Sequence, residues 1–192
     1  MAHVNEFYRT NAQRQITQGG ATLPIISEGL DSVRAYQFEI HFKLPATGNT
    51  AVEEDLTLAA KQVTAVGMAV ADIEVHRVND KVFYPGKATP EELTVTFDSL
   101  YNKKVATQLW SWFSSIYDPM NGQFNPTGSK WKAQSATILQ LNAHGVPIME
   151  TNVYGVYPRS WKTAEFNYAT SEFHTIEVIF RYDFMEQANT GN

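Results

Sequence analysis

The chain has 192 residues, 43% of them hydrophobic and 18% charged, which is long enough to bury the core of one domain. It contains no cysteine, which excludes disulfide bonds, thiol nucleophiles and cysteine-ligated metals. The formal net charge of -5 does not indicate tight binding to phosphate backbones. No signal-peptide core and no run of eighteen apolar residues occurs, so we expect a soluble protein made in a cytoplasm.

The first 31 residues are rich in Asn, Gln, Thr and Gly, which predicts an N-terminal arm at 1–31. Such a segment is either a disordered tail or an arm that becomes ordered on a neighbouring subunit. The main β domain is then expected at 32–187, followed by a flexible C-terminal tail at 188–192.

Alternation of apolar and polar residues predicts the strands of an antiparallel sheet. The patterns lie at 34–44, 56–65, 72–78, 81–84, 93–97, 131–143, 146–157 and 174–184. A polar loop is expected at 46–55, and Pro85 and Pro158 are expected to end the strands before them. The closing strand has the cleanest pattern, with Val178 and Phe180 on its apolar face.

One helix is predicted at about 102–117, because Val105, Leu109 and Trp112 recur at intervals of three or four residues. Trp110 lies off this apolar stripe, so it is either an interface residue or a half-exposed surface residue. Together the elements predict a mainly β fold, an antiparallel β-sandwich or barrel with one flanking α-helix.

Three histidines follow a glutamate by two positions, as Glu39-x-His41, Glu74-x-His76 and Glu172-x-His174. Residues two apart share a strand face, so two such pairs would suit zinc, although such pairs also commonly line a wet sheet face. No Gly-rich phosphate loop, H-E-x-x-H motif or nucleophile elbow is present. We therefore expect no catalytic, cofactor-binding or metal-binding residues, and no enzyme activity.

The order and spacing of short motifs between Arg34 and Glu186 resemble the tail tube proteins of contractile-tailed bacteriophages. The motifs are F-E-I (38–40), V-H-R-V-N-D-K-V-F-Y-P-G-K (75–87), L-T-V-T-F (93–97), the aromatic helix, G-V-Y-P (155–158) and T-I-E-V-I-F-R-Y-D-F (175–184). The long N-terminal arm and the loops at 46–55 and 120–130 depart from the family pattern.

This resemblance implies a structural virion protein, the repeating subunit of a phage tail tube. Six copies would form a ring, and stacked rings would conduct double-stranded DNA through their lumen without sequence-specific binding. Other expected partners are the tail sheath, baseplate and tape-measure proteins, with no membrane anchor and no cofactor. The subunit would be assembled in the host cytoplasm and located in the virion tail.

The resemblance also suggests which residues meet the lumen and the neighbouring subunits. Candidates to line the lumen are the acidic residues of wettable strand faces, namely Glu39, Asp72, Glu74 and Glu177. In the family an extended hairpin at the position of 46–55 reaches into the next ring. Candidate contacts between subunits or rings are Phe7, Tyr8, Thr50, Val52, Glu53, Glu54, Trp110 and Phe124.

Three alternatives remain open. The chain could be a baseplate tube initiator or the inner tube of a related contractile injection system. It could instead be a small β-sandwich metal-binding enzyme that uses the Glu-x-His pairs, which predicts bound metal. A carbohydrate-binding sandwich would need a flat aromatic platform, and no regular aromatic spacing predicts one.

Removal of residues 1–30 should weaken assembly more than folding, because the predicted strands begin at about Arg34. Circular dichroism of the truncated chain should show cooperative thermal unfolding, while electron microscopy should show fewer tubes than the full chain forms. Loss of the soluble fold in the truncated chain would contradict this prediction.

Overall fold

A computed structural model of the chain describes residues 17–18, 21–22, 34–45, 50–64, 66–142, 144–169 and 171–189. The chain divides into two compact units, Met1–Gln37 and Phe38–Asn192. In the described part of the first unit, β1 (Thr17–Gln18) pairs with β2 (Ala21–Thr22) in antiparallel fashion. Phe7 and Tyr8 lie outside the described residues.

The second unit is mainly β and contains two described helices. Its elements are β3 (Phe38–Lys43), α1 (Thr50–Ala59), β4 (Ala60–Val63), β5 (Met68–His76), β6 (Lys81–Pro90), β7 (Leu93–Asp98), α2 (Val105–Ile116), β8 (Tyr117–Asp118), β9 (Gln123–Phe124), a 3-10 turn (Gly128–Lys130), β10 (Ala133–Leu141), β11 (Pro147–Thr163), β12 (Thr175–Arg181) and β13 (Phe184–Asn189). The last strand therefore extends to Asn189, inside the segment 188–192 that was expected to be a tail.

Seven strands form one antiparallel sheet in the order β3-β10-β11-β12-β7-β4, and β13 also pairs with β11. We call β3, β10, β13 and residues 147–156 of β11 the β3 half. The β7 half consists of β4, β7, β12 and residues 157–163 of β11. The halves close around a shared core, since the ring centroid of Phe42 lies 6.1 Å from that of Phe97 and 5.3 Å from that of Phe180. The predicted sandwich class is confirmed.

The alternation in β7 and β12 places every second side chain in this core. Val95 of β7 and Val178 and Phe180 of β12 have no exposed surface, which confirms their predicted face. The apolar stripe of α2 closes the core, with Leu109 1% and Trp112 7% exposed. The indole N–H of Trp112 donates to the main-chain oxygen of Trp131 at 2.7 Å, so its polar atom is satisfied on burial.

The two halves meet where β11 bends at Gly155, which has a φ of +68°. A Cβ atom at this position would lie 2.7 Å from Cγ of Asp183, so a side chain is excluded by both conformation and space. The main-chain N–H of Asp183 donates to Tyr154 at 2.9 Å, and Lys132 Nζ donates to both carboxylate oxygens of Asp183 at 2.7 and 2.6 Å. These hydrogen bonds hold residues 182–183, which connect β12 to β13, against the bend of β11.

The polar loop predicted at 46–55 is wrong at 50–55, and the strand predicted at 56–65 is wrong at 56–59, because helix α1 occupies Thr50–Ala59. Residues 60–63 form the short strand β4, and residues 46–49 lie outside the described residues. Asp55, Leu56 and Ala59 are the buried residues of α1, and their spacing is helical. Lys103 Nζ lies 2.6 Å from the Asp55 carboxylate and ties the start of α2 to α1. The hydrogen bond to Asp55 and its charge raise the pKa of Lys103.

Two prolines that were expected to end strands lie inside strands instead. Pro85 sits within β6 opposite Asp72, next to a register shift, and Pro158 lies at a register shift in β11. Proline lacks an N–H donor, and an irregular position in the ladder does not need one. The predicted 174–184 strand also divides, so that Phe184 begins β13 and is 55% exposed rather than buried.

Gly155→Ala should destabilise the domain by about 2–4 kcal/mol, because the new methyl group meets Asp183 and the residue keeps a positive φ. Gly145→Ala is the matched control, since Gly145 has a φ of +76° and nothing within 4 Å of its added Cβ. We expect a loss of only about 1 kcal/mol there. Urea unfolding measures both, and equal losses would show that the Asp183 contact contributes nothing.

Candidate functional site and assembly surfaces

The hairpin Met68–Pro90 consists of β5 and β6, which pair with each other and with no strand of the seven-stranded sheet. All nine residues of β5 are exposed. The large exposed apolar side chains of its two strands are 40% to 61% exposed and are Met68, Val70, Ile73, Val75, Phe83 and Tyr84, and Val78 in the turn between the strands is fully exposed. A two-stranded ribbon is only marginally stable alone, and contiguous apolar surface of this kind marks an interaction site.

The strand register gives the hairpin two different faces. Ile73 lies opposite Tyr84, and Val75 opposite Val82, which makes one face apolar. On the other face Glu74 lies opposite Phe83, and its carboxylate forms an ion pair with Lys81. A partner that covered the apolar face would leave the charged groups of the other face in water.

A second exposed apolar surface lies in the described part of the connection between β11 and β12. Phe166 is 81% exposed and Phe173 87% exposed, and Tyr168 is fully exposed. The ring of His174 stacks on that of Phe166 with centroids 4.6 Å apart. Phe166 and His174 therefore brace each other from the two ends of this connection, while the other two rings face solvent.

The four candidate lumen residues lie on three different surfaces. Glu39 is on the wet face of the β3 half, and Glu177 is on the wet face of the β7 half, between Thr96 and Lys162. Asp72 and Glu74 belong to the hairpin. The two halves bury their other faces against one core, so their wet faces point away from each other.

A hydrogen-bonded row of polar side chains runs across the wet face of the β3 half. Thr137 donates to the Asn152 side chain at 2.6 Å, and Asn152 donates to Glu150 at 2.7 Å. His41 lies beside Thr137 in the register, and its ring nitrogen is 3.1 Å from Glu39. The charged residues of this face are Glu39, Lys43, Glu150 and Glu186, so carboxylates predominate.

The candidate contact residues within the described ranges form two groups: some make contacts inside the subunit, and the others have exposed surface that a partner could cover. Val52 packs partly buried against the core, and Glu53 accepts a hydrogen bond from the main-chain N–H of Leu44 at 2.9 Å. These two stabilise α1 within the subunit. The remaining candidates have exposed surface, namely Thr50, Glu54, Trp110 and Phe124. The exposed apolar hairpin at 68–90 was not predicted, because no local sequence signal shows that a hairpin is detached from its sheet.

The Glu-x-His pairs do not converge. Glu39 and His41 lie on β3, Glu74 and His76 are 3.9 Å apart on β5, and His174 precedes β12. No group of three or more His, Asp or Glu side chains among the described residues is placed to hold a metal ion. Within the same residues, no helix has the length and apolar character needed to cross a membrane.

An antiparallel sandwich that leaves an apolar hairpin outside its core has the surface of a self-assembling structural subunit. The sequence model of the family described as T4-like virus tail tube protein gp19 matches residues 34–186, which is most of the chain. The chain belongs to this family of tail tube proteins of contractile systems. Its family and fold are therefore those of structural tube proteins, as the motif resemblance predicted.

Solved structures of contractile systems contain chains of the same fold. A chain of the anti-feeding prophage baseplate has a TM-score of 0.65 at 9% identity, covering 83% of this chain and 97% of that one. The sheath-tube complex of the PVC extracellular contractile injection system gives 0.63 at 18%, with 83% and 93% covered. The sheath/tube terminator of PVC gives 0.64 at 17%, with 85% and 99% covered. No curated protein sequence matches the chain significantly.

Proposed function

We propose that this chain is the repeating subunit of a contractile tail tube, in which six copies form a ring and stacked rings enclose a channel for double-stranded DNA. The observation that carries the proposal is the exposed apolar hairpin Met68–Pro90 on a chain of the tail tube family. The subunit acts mechanically, as the wall of a conduit in the virion tail. Sheath, baseplate and tape-measure proteins are its proposed partners.

The hairpin is proposed to dock on a second copy of this chain. Burial of apolar surface stabilises by roughly 25 cal/mol per Å², and the face that carries Ile73, Val75 and Tyr84 is available for it. Identical subunits supply such a partner at every position of a ring or stack. The hairpin thus takes the role that the family resemblance placed at 46–55.

The β3 half is proposed to face the channel. Its outer strands β3 and β13 each pair on one side only within the described sheet, so neighbouring subunits have edges to join. The face that would then surround the DNA carries Glu39, Glu150 and Glu186 against Lys43. Excess negative charge repels phosphates and lets the duplex slide. Glu177 lies on the opposite face and would not meet the DNA.

The exterior is proposed to include α2, whose twelve residues carry no charge. Trp110 is 41% exposed there, and its ring centroid lies 5.8 Å from Phe113 and 5.3 Å from Trp161. A low-charge helix surface with an exposed tryptophan suits contact with another protein. A sheath subunit or the neighbouring tube subunit would cover it.

Negative-stain electron microscopy of the purified full chain tests the function directly. Tubes with an open axial channel are the expected result, and uniform monomers at high concentration would oppose it. Single rings that never extend would favour an initiator or terminator of a tube instead.

The double variant Ile73→Ser/Tyr84→Ser should abolish tubes while leaving the subunit folded, because both side chains are already about half exposed. Its thermal midpoint should stay within about 3 °C of the parent value. Val146→Ser/Tyr101→Ser removes similar exposed side chains outside the hairpin and should assemble normally. Normal tubes from the hairpin variant would exclude the proposed docking role.

Charge reversal distinguishes the two wet faces. Tubes of Glu39→Lys should bind short duplex DNA along their axis, with an affinity that falls steeply as salt rises, because six lysines per ring then face the phosphates. Glu177→Lys tubes should show no axial DNA density in cryo-electron microscopy. Axial density in the Glu177 variant alone would assign the lumen to the β7 half.

A further inference from the structure

The hairpin joins the domain through its two ends. Two consecutive residues, Arg181 and Tyr182, contact the chain at these ends. At the start of the hairpin, the carbonyl oxygen of Gly67 accepts hydrogen bonds from the Tyr182 hydroxyl at 2.6 Å and the Glu91 main-chain N–H at 2.9 Å. Just beyond its end, the carboxylate of Glu92 forms an ion pair with Arg181 at 2.8 Å. A second guanidinium, that of Arg159, binds the same carboxylate oxygen.

These groups belong to the rigid part of the domain. Tyr182 is 5% exposed, and its ring lies in the core cluster with Phe180, so its hydroxyl emerges from an immobile side chain. A tyrosine phenol is protonated at neutral pH, and burial raises the pKa of Tyr182 further, so the hydroxyl is a hydrogen-bond donor. Arg159 and Arg181 extend from the paired strands β11 and β12: Arg181 lies opposite Tyr157, and Arg159 is the residue at the register shift between Pro158 and Ser160.

Small movements at the base matter because the hairpin is long. The nine residues of β5 span about 30 Å, so a tilt of about 10° at the base moves the tip by about 5 Å. Binding surfaces need their groups placed to within about 0.5 Å. Contacts at the base therefore have a large influence on where the apolar face arrives.

We infer that Arg181 and Tyr182 are positioning residues that fix the direction of the Met68–Pro90 hairpin for docking on a second copy. The inference rests on the proposed function, which makes the hairpin an assembly surface. It also gives a role to the Y-D part of the closing motif: Tyr182 holds the hairpin base, while Asp183 holds the bend of β11. One dipeptide thus connects the sandwich and its contact surface.

Tyr182→Phe tests the inference, since it removes the hydroxyl and keeps the buried ring. Hydrogen exchange of the free subunit should accelerate roughly two- to tenfold for the hairpin amides, with core strands β7 and β12 unchanged. The concentration needed for tubes should rise by at least a similar factor. Tyr157→Phe is the matched control, because the half-buried Tyr157 hydroxyl makes no hydrogen bond to a described residue. It should change neither measurement.

A purely structural role would instead lower the thermal midpoint and accelerate exchange in the core strands as much as in the hairpin, which would overturn the inference. Arg181→Gln provides an independent variant with the same expected pattern, and unchanged exchange and assembly in both variants would also overturn it. The Ile73→Ser/Tyr84→Ser variant distinguishes the docking role of the hairpin from the positioning role of Arg181 and Tyr182. If the unmodified chain forms no tubes, the proposed function fails. If the Ile73→Ser/Tyr84→Ser variant forms normal tubes, the docking role of the hairpin fails and the positioning role fails with it. Tube loss in that variant together with normal Tyr182→Phe assembly refutes the positioning role alone.

Discussion

The rest of the domain depends on the bend of β11 at Gly155, where the strand packs against Asp183. Seventeen residues form this strand, and it can serve both sheet halves only because the chain turns at a residue without a side chain. Asp183 fills the space beside Gly155, and Lys132 neutralises its carboxylate. The chain changes partners at the same level: β12 pairs with β7 and the end of β11, and β13 pairs with the beginning of β11. The sandwich is therefore closed by a single crossing rather than by a long loop.

The domain separates residues that stabilise the subunit from residues that remain available to a partner. Val95, Val178 and Phe180 have no exposed surface, whereas Ile73 is 53% and Phe83 61% exposed although both also lie in paired strands. An apolar ribbon left in water costs solubility and invites uncontrolled pairing, and only association with another chain gives that surface a favourable use. Family membership and this distribution of apolar surface independently favour a subunit that associates with other chains.

Sequence patterns predicted the elements that have one buried face and one solvent-facing face. In β7 and β12 one face is buried and the other wet, so alternation is strong and the core face could be read directly. In α1 the residues Leu56 and Leu58 suggested a strand, but only Leu56 is buried, because the helix places Leu58 on the solvent side. The hairpin carried a normal strand pattern, and its separation from the sheet depends on tertiary pairing that no local pattern encodes. Pro158 was misread for a similar reason, since the register shift beside it is set by the partner strand.

The same two-sided construction limits what can surround a channel. Glu39 and Glu177 have similar local sequence patterns, with an acidic residue on a wettable strand face, and sequence reasoning grouped them. The shared core places them on opposite sides of the sandwich, so a ring that presents one to its axis turns the other outward. The β3 half carries three carboxylates and one lysine, whereas Glu177 has Lys162 opposite it in the register of the β7 half. A conduit for a polyanion needs a wall without fixed cations, and the β3 half comes nearer to that condition.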